Sequence, residues 1–471
     1  MKRLRDWSVR HALGLKLVYD ACSHYIAYLD PVIRWLGFGR MEQLITPVER
    51  VTKQLLFDCK MCGQCVLSLT GMACTTNCPK QMRNGPCGGV SPQGMCEVIP
   101  SMRCVWVEAT EGRKRIAGGA IPDPTVLPPI DHRRNQRSSW MQVIDGTLPK
   151  QIARVADAPR RERRPYDFER ACRSGRFVVT VEVAPPDSAD PQAFIERASR
   201  FKELADAINI TDGAGGNCHM SSVAAAALLT VNGLTPIWQI ACRDRNRIAI
   251  QGELLGAAAL GIRNVLCLTG DDVVKGDQPE AKPVFDLDAV SLLLTARTMR
   301  DRAIFASGRK LDVPPNLFLG ATINPFVPPY RDRISNLGMK IEAGAEFIQT
   351  QFCFDVGPFA KFMREVRARE LHKRCAIIVG VGTLSSAKAM RRMAEHVPGI
   401  SIPDVLLTRV ERASDPRAEG KRILIDTIKR IADVEGVAGV HLMGHKNESV
   451  LAEVIVEAGL RQAAEAKTVR A

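Results

Sequence analysis

Eight of the 15 cysteines lie within one short stretch, and close spacing of this kind is typical of metal ligands. The stretch opens with the run C-x2-C-x2-C, which indicates an iron–sulfur protein whose fourth ligand comes from elsewhere in the chain. Zinc ribbons carry two separate C-x2-C pairs, and zinc alone is the alternative interpretation. We expect the metal ligands to be Cys59, Cys62, Cys65, Cys74, Cys78, Cys87, Cys96 and Cys104.

A second group of reactive side chains stands at the ends of apolar runs. These side chains are Glu182, Asp212, Asp271 and Gln351. If the runs are parallel strands, their carboxyl ends meet at one face of the sheet, where active sites of such folds form. A carboxylic acid in apolar surroundings is kept partly protonated by desolvation and can serve as a general acid.

The elements that must position these residues are eight short apolar or β-branched runs separated by helical stretches. Most follow one another at about thirty residues, the length of one strand plus one crossover helix. The pattern predicts a (β/α)8 barrel over 166–471, with an open doubly wound sheet as the alternative. The predicted strands are Phe177–Glu182, Ala207–Ile210, Pro236–Ile240, Asn264–Cys267, Asn316–Gly320, Phe347–Gln351, Ala376–Val381 and Val437–Leu442.

The segments before the barrel divide into two parts. We expect 1–110 to be a helical and cysteine-rich metal-binding module, with helices over 1–58 that break at Pro31 and Pro47. The cysteine segment has few large apolar residues, so it needs a metal to fold. Residues 111–165 read as a basic, proline-containing linker lying across the surface of a domain.

The barrel residues together resemble the methylenetetrahydrofolate reductases over about 175–445. The likeness lies in the Glu182 strand with Pro185-Pro186 and in the stretches 210–214, 268–271, 340–352 and 436–441. The resemblance implies a flavin-binding (β/α)8 barrel, with FAD or FMN, that interconverts 5,10-methylenetetrahydrofolate and 5-methyltetrahydrofolate. It also implies NAD(P)H or another electron carrier as co-substrate.

The same resemblance implies roles for three polar side chains. Glu182 occupies the general-acid position and would protonate the nitrogen that leaves the folate ring; an ion pair with an arginine is the alternative. Asp271 corresponds to the aspartate near flavin and pterin, with a loop cap as the alternative. Gln351 matches the glutamine that pairs with the pterin edge. His441 is expected to be a hydrogen-bonded core residue.

The flavin positions match the family only in part. Thr211 and Lys340 match flavin-contacting positions, although Lys340 could instead lie on a solvated helix face. Thr269 stands before Gly270 and Asp271 where many relatives have arginine. Two further departures near the cofactor are Gln239 in place of histidine and Asn324 in place of tyrosine. These departures leave the flavin and its reductant open.

The cysteine segment resembles the cysteine-rich accessory module (MetV-like) that accompanies some of these reductases. The likeness is carried by 62–65, 78–80, 83–89 and 96–98. Such a module, holding [4Fe-4S] clusters, implies an electron relay between the flavin and an external carrier. Two other functions stay open: a barrel that transfers the methyl group of methyltetrahydrofolate, and a non-catalytic iron–sulfur subunit.

Composition narrows the classes of partner. The net charge of +14 favours acidic ligands, such as the carboxylates of folate or an acidic redox protein. Nucleic acid is not expected, because aromatic residues make up only 5% of the chain. No apolar run approaches the roughly 20 residues that span a bilayer, and the first 22 residues lack an apolar signal core, so we expect a cytoplasmic protein. A homo-oligomer stays open.

Overall fold

The computed structural model describes residues 2–118, 126–144, 163–397, 399–444 and 446–462. The strands are β1 Val178–Glu182, β2 Ala207–Ile210, β3 Pro236–Ala241, β4 Asn264–Leu268, β5 Phe318–Ile323, β6 Phe347–Phe352, β7 Ala376–Gly382 and β8 Gly439–Met443. The helices before the barrel are α1 Lys2–Arg10, α2 Ala12–Tyr28, α3 Asp30–Leu36, α4 Phe38–Phe57, α5 Val105–Ile116 and α6 Met141–Ile144. The barrel helices are α7 Asp167–Arg173, α8 Gln192–Ser199, α9 Ser222–Val231, α10 Arg247–Ala259, α11 Ala289–Arg302, α12 Tyr330–Ala343, α13 Val356–Ala368, α14 Ala387–His396, α15 Asp404–Arg412, α16 Pro416–Ala432 and α17 Glu448–Glu457.

The eight strands form a closed parallel barrel in sequence order, with β8 paired to β1. This confirms the predicted (β/α)8 fold, and the open sheet is excluded. All eight predicted strands exist, but β5 begins and ends later than expected, at Phe318 and Ile323. The strands are buried on both faces, as expected for a sheet enclosed by helices.

The amino-terminal end of the barrel is closed by aromatic rings. Phe168 of α7 packs edge-on against Phe318 and Phe347, the first residues of β5 and β6. All three are fully or almost fully buried. This end of the barrel is therefore filled by packed side chains. An active site is expected at the opposite, carboxyl end.

Residues 2–57 are mostly helical, as predicted, but one predicted break is wrong. Pro31 lies at the start of α3, where its missing N–H costs nothing. Pro47 instead lies inside α4, which continues to Phe57. The expected linker over 111–165 contains the end of α5 and all of α6. Its segments 119–125 and 145–162 lie outside the described residues. No helix in the described ranges combines the length and apolar character needed to cross a membrane.

Candidate functional site

Glu182 closes β1 at the carboxyl end of the barrel, as the sequence predicted. Its Oε2 lies 3.9 Å from Nε2 of His441, which comes from the neighbouring strand β8. The Glu182 side chain is 29% exposed while that of His441 is 3% exposed. The carboxylate therefore stands at the mouth of the barrel, less buried than expected, with the imidazole below it.

A polar layer inside the barrel holds this histidine. His441 Nδ1 lies 2.9 Å from the hydroxyl oxygen of Thr180. The amide of Gln349 donates to Thr180 and exchanges hydrogen bonds with Asn209. Because β6 is not adjacent to β1 or β2 in the sheet, these contacts cross the barrel interior. The expectation of a hydrogen-bonded core histidine agrees with this geometry, although the histidine also faces Glu182.

Two predicted flavin-contacting residues keep unused hydrogen-bonding groups. Thr211 follows β2 and is 4% exposed, and its hydroxyl has no partner. Gln239 on β3 is 8% exposed, and its side-chain amide makes no hydrogen bond within the described protein. A buried polar group without a partner is unfavourable, so such groups mark a place where a ligand can bind. The residues present fit a polar cofactor here.

Asp271 lies on an exposed turn after β4, and its Oδ2 accepts a hydrogen bond from the N–H of Gly215, 2.9 Å away. Arg243, just after β3, supports this turn from below. Its guanidinium donates to the carbonyl oxygens of Gly213, at 2.8 Å, and of Asp271, at 3.5 Å. Arg243 was not among the predicted site residues, although a charged residue two positions after a strand was the available signal. Arg243 therefore places a guanidinium near the 269–271 turn, in which this chain has Thr269 where many relatives have arginine.

Gln351 stands near the end of β6, at the same end of the barrel as Glu182. Its side-chain oxygen accepts a hydrogen bond from the backbone N–H of Phe352 at 3.0 Å. The side-chain NH2 group makes no hydrogen bond within the described protein, so this group can donate to a ligand.

The cysteine segment packs directly on this end of the barrel. Lys80 is 3% exposed, and its Nζ donates to the carbonyl oxygen of Gly270 at 2.8 Å. Lys80 also forms an ion pair with the buried Glu97. Burial alone would lower the pKa of Lys80, but Glu97, Cys87 and Asp271 outweigh it and raise the pKa above its usual value. A buried cation therefore links the cysteine segment to the Gly270 turn.

Two predicted flavin-contacting residues are committed to protein contacts. The Asn324 amide donates to the carbonyl oxygens of Gly88 and Gly399, both at 2.8 Å. Lys340 is 8% exposed and donates to the carbonyl oxygen of Thr322 at 2.6 Å. The solvated helix face considered for Lys340 is therefore wrong. Burial, aided by the nearby Arg333, lowers the pKa of Lys340 to about 8.

Further contacts fix the cysteine segment to helices α11 and α12. The Asp288 carboxylate, which caps α11, accepts hydrogen bonds from the backbone N–H groups of Arg83 and Asn84. Arg333 of α12 donates to the carbonyl oxygen of Cys87 at 2.8 Å. The segment is thus anchored through several buried polar contacts between distant parts of the chain.

The eight clustered cysteines fall into two sets of four, each lining a separate small cavity. The outer set is Cys59, Cys62, Cys65 and Cys74. The barrel-side set, which includes the residue contacted by Arg333, is Cys78, Cys87, Cys96 and Cys104. Lys80 also lines the second cavity, which places this set beside the Gly270 turn.

The protonation of these thiols depends on burial and on their neighbours. Burial raises the pKa of Cys78 to about 12 and raises the pKa of Cys87. A hydrogen bond from Cys59 lowers the pKa of Cys74 to about 6. Within the described ranges, no group of three or more cysteine, histidine, aspartate or glutamate side chains is arranged to hold a metal ion. The predicted metal ligands are thus assembled in fours, but the structure does not itself show a metal site.

The barrel matches a known protein family over its whole length. The family model described as methylenetetrahydrofolate reductase matches residues 167–459. A second model, described as methylene-tetrahydrofolate reductase C terminal, matches residues 38–131 and therefore covers the cysteine segment.

Curated relatives agree with the first match. The chain is 29% identical to methylenetetrahydrofolate reductase 2 of Schizosaccharomyces pombe, over 54% of this chain and 40% of that protein. It is 25% identical to a probable methylenetetrahydrofolate reductase (NADPH) of Caenorhabditis elegans, over 51% of this chain and 34% of the other. It is also 25% identical to 5,10-methylenetetrahydrofolate reductase of Pectobacterium carotovorum, over 57% of this chain and 85% of that protein. The chain thus spans less than half the length of the first two relatives.

One solved structure is similar at 15% identity and a TM-score of 0.42, over 61% of this chain and 96% of that chain. It is an uncharacterized protein from Clostridium thermocellum that binds two copies of 5-methyl-5,6,7,8-tetrahydrofolic acid, a likeness too loose to bear on the ligands of this chain. The family model, in contrast, covers every strand from β1 to β8 and both Glu182 and Asp271. The chain belongs to the methylenetetrahydrofolate reductase family.

Proposed function

We propose that this chain is a methylenetetrahydrofolate reductase that interconverts 5,10-methylenetetrahydrofolate and 5-methyltetrahydrofolate. The observation that carries the proposal is the carboxylate of Glu182 at the mouth of a family barrel, supported by the buried His441. The unpartnered groups of Thr211 and Gln239 at the same end add the capacity to bind a polar cofactor.

In this proposal Glu182 delivers a proton to the nitrogen that departs when the five-membered folate ring opens. A general acid must lie within hydrogen-bonding reach of that nitrogen, and the barrel mouth is where the substrate can approach the carboxylate. His441 would orient the carboxylate from below, where its Nε2 lies 3.9 Å from Glu182 Oε2. The reverse direction uses the same carboxylate as the base, so these residues do not set the physiological direction.

Two further side chains would hold the folate. The Asp271 carboxylate can accept hydrogen bonds from the amino and ring N–H groups of a pterin. The Gly215 N–H bonds to Oδ2 of Asp271, so the other carboxylate oxygen, Oδ1, can accept a hydrogen bond from the pterin. The free NH2 group of Gln351 can donate to an acceptor on the pterin edge. Asp271 follows β4 and Gln351 lies near the end of β6, at the same end of the barrel as Glu182.

A flavin, FAD or FMN, would supply the hydride-transfer chemistry when bound. The residues that would hold it are Thr211, Gln239, Thr269 and Gly270, with Asp271 beside its reactive ring. The side chains of Asn324 and Lys340 already bond to protein carbonyl groups, so they would support the wall of this site. NAD(P)H or another electron carrier would be the co-substrate.

We further propose that the two cysteine sets hold [4Fe-4S] clusters, with zinc as the alternative, and that clusters would supply one-electron chemistry next to the barrel. Their division into two sets of four matches the ligand number of such clusters. On this basis 1–110 is the metal module, 111–165 the linker and 166–471 the catalytic barrel. An external redox protein would exchange electrons with the module in the cytoplasm.

One experiment separates this function from its alternatives. Purified protein is analysed for flavin, iron and zinc per chain, and its visible spectrum is recorded before and after addition of 5-methyltetrahydrofolate. We expect a flavin spectrum that bleaches on addition. A colourless protein that transfers the methyl group would establish a methyltransferase instead, and a brown protein inert to folate would establish an iron–sulfur subunit. Zinc without iron would remove the proposed one-electron role of the module.

A further inference from the structure

The amino-terminal helices expose an unusual amount of apolar surface. More than half of the strongly exposed large apolar side chains in the described ranges lie between Leu4 and Leu55, about a ninth of the chain. They include Tyr28 at 80% and Trp35 at 84% exposure. Contiguous apolar patches of more than a few hundred Å² are rare on monomeric proteins and mark interaction sites.

Helix α4 concentrates this surface on one face, which we call the α4 outer face: Leu44, Val48, Val51 and Leu55. These four side chains are 68%, 61%, 57% and 53% exposed, respectively. At 100° per residue they cluster on one side of the helix, directly opposite Lys53.

The inner side of α4 buries an ion pair together with Phe57, which is 4% exposed. Lys53 and Glu49 are 2% and 1% exposed and pair at 2.6 Å. Lys53 also donates to the hydroxyl of Ser139 at 2.8 Å and lies over the ring of Tyr19. The helix therefore has a buried inner side and a second, apolar side that is left exposed. The exposed apolar face is therefore unexplained by the fold of a single chain.

The spacing of the α4 outer face identifies the kind of partner. Successive intervals of four, three and four residues form a heptad seam, the pattern by which one helix packs along another at about 20°. The pattern is also symmetric about the point between Val48 and Val51. Two copies of α4 that run antiparallel across a two-fold axis there pair Leu44 with Leu55 and Val48 with Val51. A seam that matches itself in this way is what an isologous interface requires.

The charges around α4 favour a protein partner over a lipid surface. Interfacial helices carry lysine and arginine beside their apolar face to contact anionic headgroups. Between Leu44 and Leu55 the charged residues of α4 are Glu49, Arg50 and Lys53, and all of them lie on the inner half of the helix. Between Leu44 and Leu55 the outer face and its flanks, which include Pro47 and Gln54, are uncharged. Arg40, one turn before Leu44, is the basic residue of α4 on this side.

Neighbouring helices add exposed apolar side chains beside the α4 outer face. Helices α1 and α3 both pack against α4 and carry exposed apolar residues, including Trp7 and Val32. Together the apolar side chains of the four helices leave on the order of 1,000 Å² exposed, against about 800 Å² per partner in a standard interface. We propose that the chain forms a two-fold dimer through antiparallel packing of the α4 outer face on its counterpart in a second copy.

The test measures the mass of the purified full-length protein in solution at micromolar concentration, by sedimentation or light scattering. We expect a dimer. Val51→Glu and Val48→Lys should each weaken the dimer roughly 100-fold or more, because a charge is left unpaired within the seam. Mixing the two variants should restore a mixed dimer, since position 48 of one copy faces position 51 of the other. Val405→Glu, which replaces a side chain 70% exposed on α15, is the matched control and should remain dimeric.

Circular dichroism and bound flavin confirm that each variant is folded. A monomeric parent chain, or a dimer that survives Val51→Glu unchanged, overturns the proposal. Binding of the parent monomer to vesicles of phosphatidylcholine and phosphatidylserine, lost in Val51→Glu, would also overturn it and assign the face to a lipid surface.

Discussion

His441 Nε2 lies 3.9 Å from Glu182 Oε2, and the opposite ring nitrogen of the same histidine lies 2.9 Å from the Thr180 hydroxyl. The imidazole is therefore held between a buried polar layer and the carboxylate at the barrel mouth. Thr180 is in turn fixed by the amide of Gln349. The hydrogen bonds between Gln349, Thr180 and His441 restrain the imidazole. The restrained imidazole faces the Glu182 carboxylate beyond hydrogen-bonding distance.

Replacing Glu182 by glutamine should stop turnover while preserving the site. Glutamine has nearly the same shape but carries no acidic proton, so we expect kcat to fall by roughly 10²–10⁴-fold. The flavin spectrum and the affinity for methyltetrahydrofolate should stay unchanged. Steady-state kinetics and a folate titration check both, with Glu435→Gln, whose side chain is 80% exposed, as the control. Retained turnover would mean that another group donates the proton.

Replacing His441 by asparagine should impair catalysis less severely. The shorter side chain no longer reaches Glu182, so the carboxylate loses its orientation but not its proton. We expect kcat to fall roughly 10–100-fold with KM for the folate nearly unchanged. Thr180→Val, which removes the hydroxyl that contacts the ring, should lower kcat in the same direction. An increase in KM alone would indicate that His441 contributes to binding instead.

Removing the buried cation of Lys80 should destabilise the protein. Lys80→Met leaves Glu97, 6% exposed, without its partner, and breaking a buried ion pair in this way costs about 3–5 kcal/mol. The double variant Lys80→Met with Glu97→Gln should recover much of this loss. Denaturant unfolding measures both, and Lys361→Met, which changes an exposed lysine, serves as the control. Equal stability of the single and double variants would show that the pair is not coupled.

The two cysteine sets should bind metal independently. Cys87→Ser removes a ligand of the barrel-side set and Cys59→Ser one of the outer set, so each should lose about half of the bound metal. Bleaching of the flavin by methyltetrahydrofolate should continue in both. Iron and zinc analysis provides the readout, and Cys218→Ser, an exposed cysteine outside both sets, should lose none. Complete loss of metal from either variant would indicate one shared site.

Lys340 should make stability depend on pH in the alkaline range. Its pKa is about 8 in the folded protein, below its usual value of 10.5, because burial opposes the charge. Between these values the unfolded chain binds the proton and the native one does not, so the free energy of unfolding rises with pH. Relative to Lys340→Met, the parent should gain up to about 3 kcal/mol from pH 7 to pH 10.5. Denaturant unfolding across this range tests it; a constant difference would contradict the depressed pKa.

Much of the barrel could be predicted from the sequence because its strands are short apolar runs at regular spacing. Glu182 was identified because it is a carboxylate that ends an apolar run. The alternation of side chains along β8 places His441 toward the barrel interior. The contact between Lys80 and Gly270 could not be predicted, since it joins residues 190 positions apart. Pro47 was misread because packing of α4 outweighs the hydrogen bond that the proline removes.

The bonds from Lys80 to Gly270 and from Asn324 to Gly88 tie the cysteine segment to two loops of the barrel. One of these loops continues directly into Asp271. If the cysteine sets hold the proposed clusters, oxygen damage to a cluster would loosen the turn that presents this carboxylate. Oxidative damage to the cysteine segment would then alter the shape of the substrate site.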